Sequence, residues 1–153
     1  MLHIVGWKIQ FWNRHGAKIK YTPTDEITDS FKHLLHKPYT LFDGGLRHNR
    51  VDGIKINIVL WDALLWKGEL LTIKPFWYRR NILEDAIQPN ESVSIPFQHK
   101  NSFGKIFGRV AKNAEIEGIV IKNLKGILNL STKDNLESQW MFKVRRPSGR
   151  YRF

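Results

Sequence analysis

The chain has 153 residues, 42% hydrophobic and 25% charged. That is enough apolar material for one folded domain, and it excludes a disordered or low-complexity chain. Lysine and arginine number 25 against 14 acidic residues, a formal +11. The excess points to polyanions: nucleic acid, nucleotide phosphates or an anionic membrane surface. With no cysteine, a disulfide framework, a zinc ribbon and a thiol nucleophile are excluded.

Lys8 to Trp12 and Ala17 to Tyr21 read as two short strands around the turn Asn13-Arg14-His15-Gly16, where glycine admits a positive φ. Thr22 or Thr24 caps a following helix, Pro23 suits its first turn, and Asp25 and Glu26 suit its positive end. Ile27, Phe31, Leu34 and Leu35 share one face of that helix, and Lys37-Pro38 ends it. Thr40 to Leu46 reads as a strand interrupted by Asp43-Gly44-Gly45. Ile54, Ile56, Ile58 and Leu60 alternate with Lys55, Asn57 and Val59, a strand that can run to Trp66 before the turn Lys67-Gly68.

Pro75 opens a second helix with Phe76, Leu83 and Ile87 on its buried side, and Val93, Ile95 and Phe97 alternate as a strand ending near Phe97. Phe103, Ile106, Phe107 and Val110 mark a third helix, weakened by Gly104 and Gly108. Gly118 to Lys122 is a compact strand, Leu124 to Glu137 a polar loop, and Trp140 to Arg145 the last strand. Strands and helices mix without strict alternation, so the expected class is α+β with mainly antiparallel sheets. Ile58 to Trp61 is the longest strongly apolar run and Asp62 breaks it. No membrane span or secretory signal is expected, and a cytoplasmic monomer is the default.

Four places combine charge, glycine and aromatics. At Asn13-Arg14-His15-Gly16 a basic residue at a turn tip can reach a phosphate; the same residues also suit a solvated hairpin tip. Trp61, after Asp43-Gly44-Gly45, can stack on a nucleobase or simply fill the core. Asp62, interrupting an apolar strand, must find a partner or water. Glu117 and Lys122 bracket a short strand, with Glu117, Ile119 and Ile121 on one face and Gly118, Val120 and Lys122 on the other. The carboxylate suits a divalent metal or sugar hydroxyls and the ammonium a phosphate; an edge strand with charged ends fits equally. After Glu137 come Lys143, Arg145, Arg146, Arg150 and Arg152 with no acid, interleaved with Trp140, Phe142, Tyr151 and Phe153. Lys143 and Arg145 share a strand face, a paired cationic site. The histidines at 3, 15, 33, 36, 48 and 99 show no metal spacing, and His33 with His36 reads as a surface pair.

Taken in order, these places resemble the covalent nucleotidyltransferases: ATP-dependent DNA ligases, RNA ligases and mRNA capping guanylyltransferases. Arg14-His15-Gly16 resembles the Ser-Arg-x-Gly motif, and Phe42-Asp43-Gly44-Gly45-Leu46 the Leu-Asp-Gly-Glu-Leu segment. Trp61-Asp62-Ala63-Leu64, with Gly68 beyond, is similar to Phe-Asp-x-Leu. Tyr78-Arg79-Arg80-Asn81-Ile82-Leu83 is similar to the Glu-Arg-Arg-x-x-Leu helix, and Glu117 to Lys122 to Glu-Gly-x-Val-x-Lys. Lys143-Val144-Arg145, with Trp140 ahead of it, resembles the closing basic-x-basic motif.

The resemblance implies a ligase adenylation-domain fold, two mainly antiparallel sheets flanked by helices, over residues 1–153 as a partial domain without the OB-fold domain of larger ligases. It implies ATP as substrate, Mg²⁺ or another divalent metal as cofactor, and nicked DNA, or RNA, as partner. Arg14, Trp61, Glu117, Lys122, Lys143 and Arg145 would bind the nucleotide, with Trp61 on adenine and Glu117 also assisting metal. Arg14, Arg146, Arg150 and Arg152 would contact the nucleic acid. Two departures from the pattern bear on catalysis. Gly45 stands where the family has a metal-assisting glutamate. The Lys-x-Asp/Asn-Gly nucleophile has no counterpart: Lys8, the sole lysine before Arg14, is not followed by Asp-Gly or Asn-Gly. The expectation is therefore a ligase core that starts just after its nucleophile, possessing no catalytic lysine. Its rivals are a non-catalytic nucleic-acid-binding remnant of the fold, an RNA ligase or guanylyltransferase, and an unrelated basic α+β domain. Small viral ligases, which differ in their appendages, make a virus-encoded source compatible with the same pattern.

Overall fold

The computed structural model describes residues 1–47, 57–113, 116–128 and 140–147. The expected strand start at Ile54 and Ile56, His48, most of the 124–137 loop, and Arg150, Tyr151, Arg152 and Phe153 lie outside the described residues. The chain divides into two compact units, Met1–Pro96 with Ile127–Leu130, and Phe97–Gly126 with Ser131–Phe153. The secondary structure is α+β, and every strand pairing among the described residues is antiparallel except one.

In the first unit, β1 (Leu2–Val5), β2 (Lys8–Trp12), β3 (Lys18–Ile19), β4 (Thr40–Arg47), β5 (Asn57–Trp66) and β6 (Glu69–Leu70) form a sheet in the order β3-β2-β1-β4-β5-β6. β7 (Val93–Ser94) adds to β5 in parallel. Leu2 and Ile4 put β1 into the core, and the turn at Gly6-Trp7 returns the chain as β2, with Leu2 opposite Phe11 and Val5 opposite Lys8. The expected strand 17–21 pairs only at Lys18 and Ile19, and Tyr21 folds back to hydrogen-bond Ile19 O.

α1 (Asp25–Phe31) starts where expected: the Thr24 hydroxyl accepts from Ile27 N, and Asp25 and Glu26 occupy the first turn. A 3₁₀ turn, Lys32–Leu34, continues it, so Ile27, Phe31 and Leu34 are buried as the helical spacing requires. α2 (Phe76–Ala86) follows Pro75 and buries Phe76, Leu83 and Ala86. Both helices cover the same face of the sheet. Their apolar residues form one core with Leu2, Ile4, Phe11, Phe42, Ile58, Leu60 and Val93. His33 Nε2 bonds Ala86 O, and His36 packs against Trp7, so each of these exposed histidines has its own partner.

Two expectations change. Asp43-Gly44-Gly45 does not interrupt its strand: β4 runs through it, because glycine lets the β5 backbone come close. A Cβ on Gly44 would lie 2.5 Å from Val59 O. The strand expected to end near Phe97 stops at Ser94, and Phe97 is 83% exposed.

In the second unit, β8 (Gly118–Lys122) and β9 (Met141–Arg145) form a two-stranded antiparallel sheet, and α3 (Phe103–Val110) packs near β8 with Ile106 buried. No helix among the described residues is long and apolar enough to cross a membrane.

Candidate functional site

β5 carries two more residues than the part of β4 it faces. Asp43 pairs with Asp62 and Gly44 with Leu60, so Trp61 is left over; Leu64 is left over between Ala63 and Leu65 in the same way. The bulge leaves Trp61 without a β4 partner, while burial still alternates along Ile58, Leu60 and Asp62. Leu60 and Asp62 are both buried, whereas Trp61 between them is 42% exposed. Of the two fates open to Trp61, the core is therefore excluded. Its indole lies over Gly45: a Cβ there would stand 3.0 Å from Trp61 Cη2 and 3.1 Å from Cζ2. The position where the resembled family carries a glutamate is thus occupied by an aromatic ring seated on glycine backbone.

Asp62 has found its partner in α2. Arg79 Nε donates to Oδ1 and Nη2 to Oδ2, each at 2.8 Å, and Nη1 donates to Lys74 O at 2.6 Å. Arg79 is fully buried, so the guanidinium has exchanged water for a fork-on-fork pair and a carbonyl, as a buried charge requires. Arg80, also buried, donates to Glu84 Oε1 and to Pro96 O, both at 2.6 Å. Both arginines of the Arg-Arg-x-x-Leu stretch are therefore occupied within the first unit.

Arg14 sits at the tip of the β2–β3 hairpin, exposed, with its Nε donating to His15 Nε2 at 3.1 Å. Asn13 builds this tip: its Oδ1 accepts from His15 N and Ala17 N, and its backbone carbonyl accepts from Gly16 N. Leu2 pairs with both Phe11 and Phe42, and Met1 exchanges hydrogen bonds with Trp12. Continuing this register, Trp12, Met1, Asp43 and Asp62 cross the sheet in one row. Arg14 and Gly45 then leave the same end of the sheet, from β2 and β4, two strand spacings or about 10 Å apart.

On the side of the sheet away from the helices, centred on His3, lies a cluster the sequence gave no reason to single out. Tyr39 OH and His3 Nδ1 share a hydrogen bond, and the His3 ring lies 5.8 Å from that of Tyr39 and 5.5 Å from that of Trp12. His3 Nε2 and Trp12 Nε1 are buried without a hydrogen-bond partner among the described residues. Burial, with the Met1 ammonium adding to it, pushes the His3 pKa down, and burial pushes the Tyr39 phenol up. The available signal was the placement of His3 between the core residues Leu2 and Ile4, which turns it to the opposite face.

In the second unit, Gly118 faces Arg145, Val120 faces Lys143 and Lys122 faces Met141. Residues opposite one another in an antiparallel pair share a face, so Lys122, Lys143 and Arg145 lie on one face with Val120 between them. Lys143 and Arg145 are exposed, and Lys122 is half-buried with its Nζ 5.6 Å from the centre of the Trp140 indole. That indole rests on Gly126, where a Cβ would stand 2.6 Å from its Cδ2 and Cε3 and from Trp140 Cβ. Gly118 allows the two strands to close, since a Cβ there would lie 2.0 Å from Val144 O.

Glu117 is exposed at the end of β8, and its carbonyl accepts from Arg146 N at 2.9 Å. By alternation it lies on the other face from the three cations. Among the described residues no three histidine or acidic side chains gather to hold a metal. A single carboxylate is nonetheless a usual Mg²⁺ complement when substrate phosphates and water supply the other ligands. The predicted site residues thus fall into two sets, Arg14 and Trp61 in the first unit and Glu117, Lys122, Lys143, Arg145 and Arg146 in the second. No protein family matches this chain, and no curated protein matches it.

Proposed function

We propose that this chain is the nucleotide- and nick-binding core of an ATP-dependent polynucleotide ligase with the adenylation-domain fold. The observation that carries the reading is the β8–β9 register, which gathers Lys122, Lys143 and Arg145, from two separate motifs, on one face. Three cations on so small a surface suit a polyphosphate. Separately, in the first unit, the exposed Trp61 ring is a flat face suited to a base.

In this reading Lys122, Lys143 and Arg145 of the second unit neutralise a polyphosphate, and Trp61 of the first unit offers its ring to a base. Arg14 meets a phosphate of the nucleotide or the strand, and Arg146, Arg150 and Arg152 meet the strand backbone. Glu117, to which the resemblance gives a Mg²⁺ role, lies on the other face of β8 from these cations and is not assigned the metal of their polyphosphate. The family's reaction seals a 5′-phosphate to a 3′-hydroxyl through enzyme-adenylate and DNA-adenylate. Its first step needs a lysine nucleophile in the Lys-x-Asp/Asn-Gly setting, which this sequence does not contain. The chain is accordingly assigned binding and not self-adenylation.

The test is titration of the full chain with ATP and Mg²⁺ by calorimetry, beside Trp61→Ala and Lys143→Gln/Arg145→Gln. Saturable binding, weakened about tenfold or more by each variant, is expected, since tenfold is about 1.4 kcal/mol. Absence of binding at millimolar ATP sinks the reading. A covalent band with α-labelled ATP would refute the missing nucleophile. Competition by GTP better than ATP would move the assignment to capping.

A further inference from the structure

From Met1 to Thr24 the chain has Lys8, Arg14, Lys18 and Lys20 and no acidic residue; Asp25 is the first. The fold gives this bias a direction. On β2, Lys8, Gln10 and Trp12 alternate with the core-facing Ile9 and Phe11, and Lys18 of β3 stands opposite Trp12. Lys8 and Lys18 therefore share the face that leads to Arg14 at the hairpin tip. A cleft of about 520 Å³ beside β2 is lined by Lys8 and Lys18 but also by the core-facing Ile9 and Phe11 and by Thr28 of α1, so it is not confined to that face. Trp7, at the opposite turn from Arg14, is 77% exposed.

We propose that the β2–β3 hairpin is a track for a nucleic-acid backbone, with Lys8 and Lys18 as phosphate contacts in addition to Arg14. The six steps from Lys8 to Arg14, four along β2 and two into the turn, span at most about 20 Å. That length covers about six phosphates at the 3.4 Å rise of one DNA strand. Ammonium groups act here as point charges that need no bidentate geometry. Gln10 supplies a neutral donor between them, and the exposed Trp7 indole offers a stacking surface where the track ends. A line of cations along an edge hairpin complements a linear polyanion, whereas a membrane surface is better matched by a broad amphipathic helix. The inference rests on the nucleic-acid partner proposed above but assigns it a surface that none of the ligase-like motifs other than Arg14 covers.

The experiment measures binding of the full chain to a fluorescent duplex carrying one nick, across a range of salt. Each neutralised phosphate contributes about 0.9 to the slope of log K against log[salt] on B-DNA. Lys8→Gln/Lys18→Gln is expected to flatten the slope by about 1.8, with Mg²⁺-ATP binding unchanged. The charge-matched Lys105→Gln/Lys112→Gln is expected to leave the slope as it was. An unaltered slope in the Lys8/Lys18 variant, with wild-type ATP binding intact, overturns the track and leaves the ligase reading standing. Equal flattening by both variants also overturns it, because it reduces the effect to net charge. A wild-type chain that binds neither ATP nor the duplex overturns both. Loss of binding to phosphatidylserine vesicles with duplex binding unaffected overturns the track in favour of a membrane.

Discussion

Arg79 grips Asp62 at two points, both 2.8 Å, from the helix that lies over β5. Asp62 is the residue that breaks the most apolar stretch of the sequence, and Trp61, next to it, is the exposed ring of the candidate site. The pair fixes which way β5 faces at the bulge. Removing one partner leaves a buried charge unmatched, at about 3–5 kcal/mol. Replacing both by apolar residues removes the desolvation cost together with the attraction. In urea denaturation, Arg79→Leu is expected to lose about 3–5 kcal/mol, and Asp62→Leu/Arg79→Leu to recover most of it. A double variant as unstable as the single would show that the pair does more than satisfy its own charges.

Gly45 and Trp61 compete for one space. Gly45→Glu should displace the indole by a few tenths of an ångström or more, because the ring atoms already stand at 3.0–3.1 Å from a Cβ. Expected are a red shift in tryptophan emission and a loss of about 1–3 kcal/mol from overpacking. Combined with Trp61→Ala, the same glutamate should cost little. A glutamate tolerated equally well with and without Trp61 would contradict the contact.

Gly118 is the tightest approach between strands in the second unit. Alanine would bring its Cβ onto the Val144 carbonyl, a backbone atom that cannot swing away. Gly118→Ala is expected to separate β8 from β9, read as faster amide exchange along Gly118–Lys122 and Met141–Arg145. Exchange in α2 should be unchanged.

His3 gives stability a pH dependence. Its folded pKa lies below the ordinary 6.5, so the unfolded chain binds the proton more readily. The stabilisation is fully present above the unfolded value and is lost as pH falls through the folded one. Unfolding midpoints in urea should therefore decline as pH falls below the ordinary 6.5, and less steeply in His3→Gln. Identical profiles would remove His3 as the cause.

Much of the fold was legible. The Lys8–Trp12 strand before its glycine turn, the Thr24 cap of α1 and the Pro75 start of α2 are local signals, and they survive in the structure. The strand through Asp43-Gly44-Gly45 was read as interrupted because three poor strand formers in succession outweigh the flanking pattern; β5 pressing on Gly44 decides otherwise. Trp61 was ambiguous because an aromatic on an apolar strand usually fills the core, although the alternation of Ile58, Leu60 and Asp62 puts it on the other face. Lys143 and Arg145 could be placed together from their spacing, but Lys122 joins them only through the register across two strands. His3 and Trp12 meet through strand pairing and carry no motif.

One pairing has a kinetic side. β7 is only two residues long, and it reaches β5 in parallel, with Ile58 N bonded to Ser92 O at 2.7 Å. All of β6 and α2 lies in the loop between them, whereas β1 and β2 meet across a single tight turn. Loop closure of that length carries entropy that a two-residue ladder repays poorly. Residues around Val93 are then expected to dock last when the chain folds. A substitution there should hasten unfolding while leaving the folding rate almost unchanged.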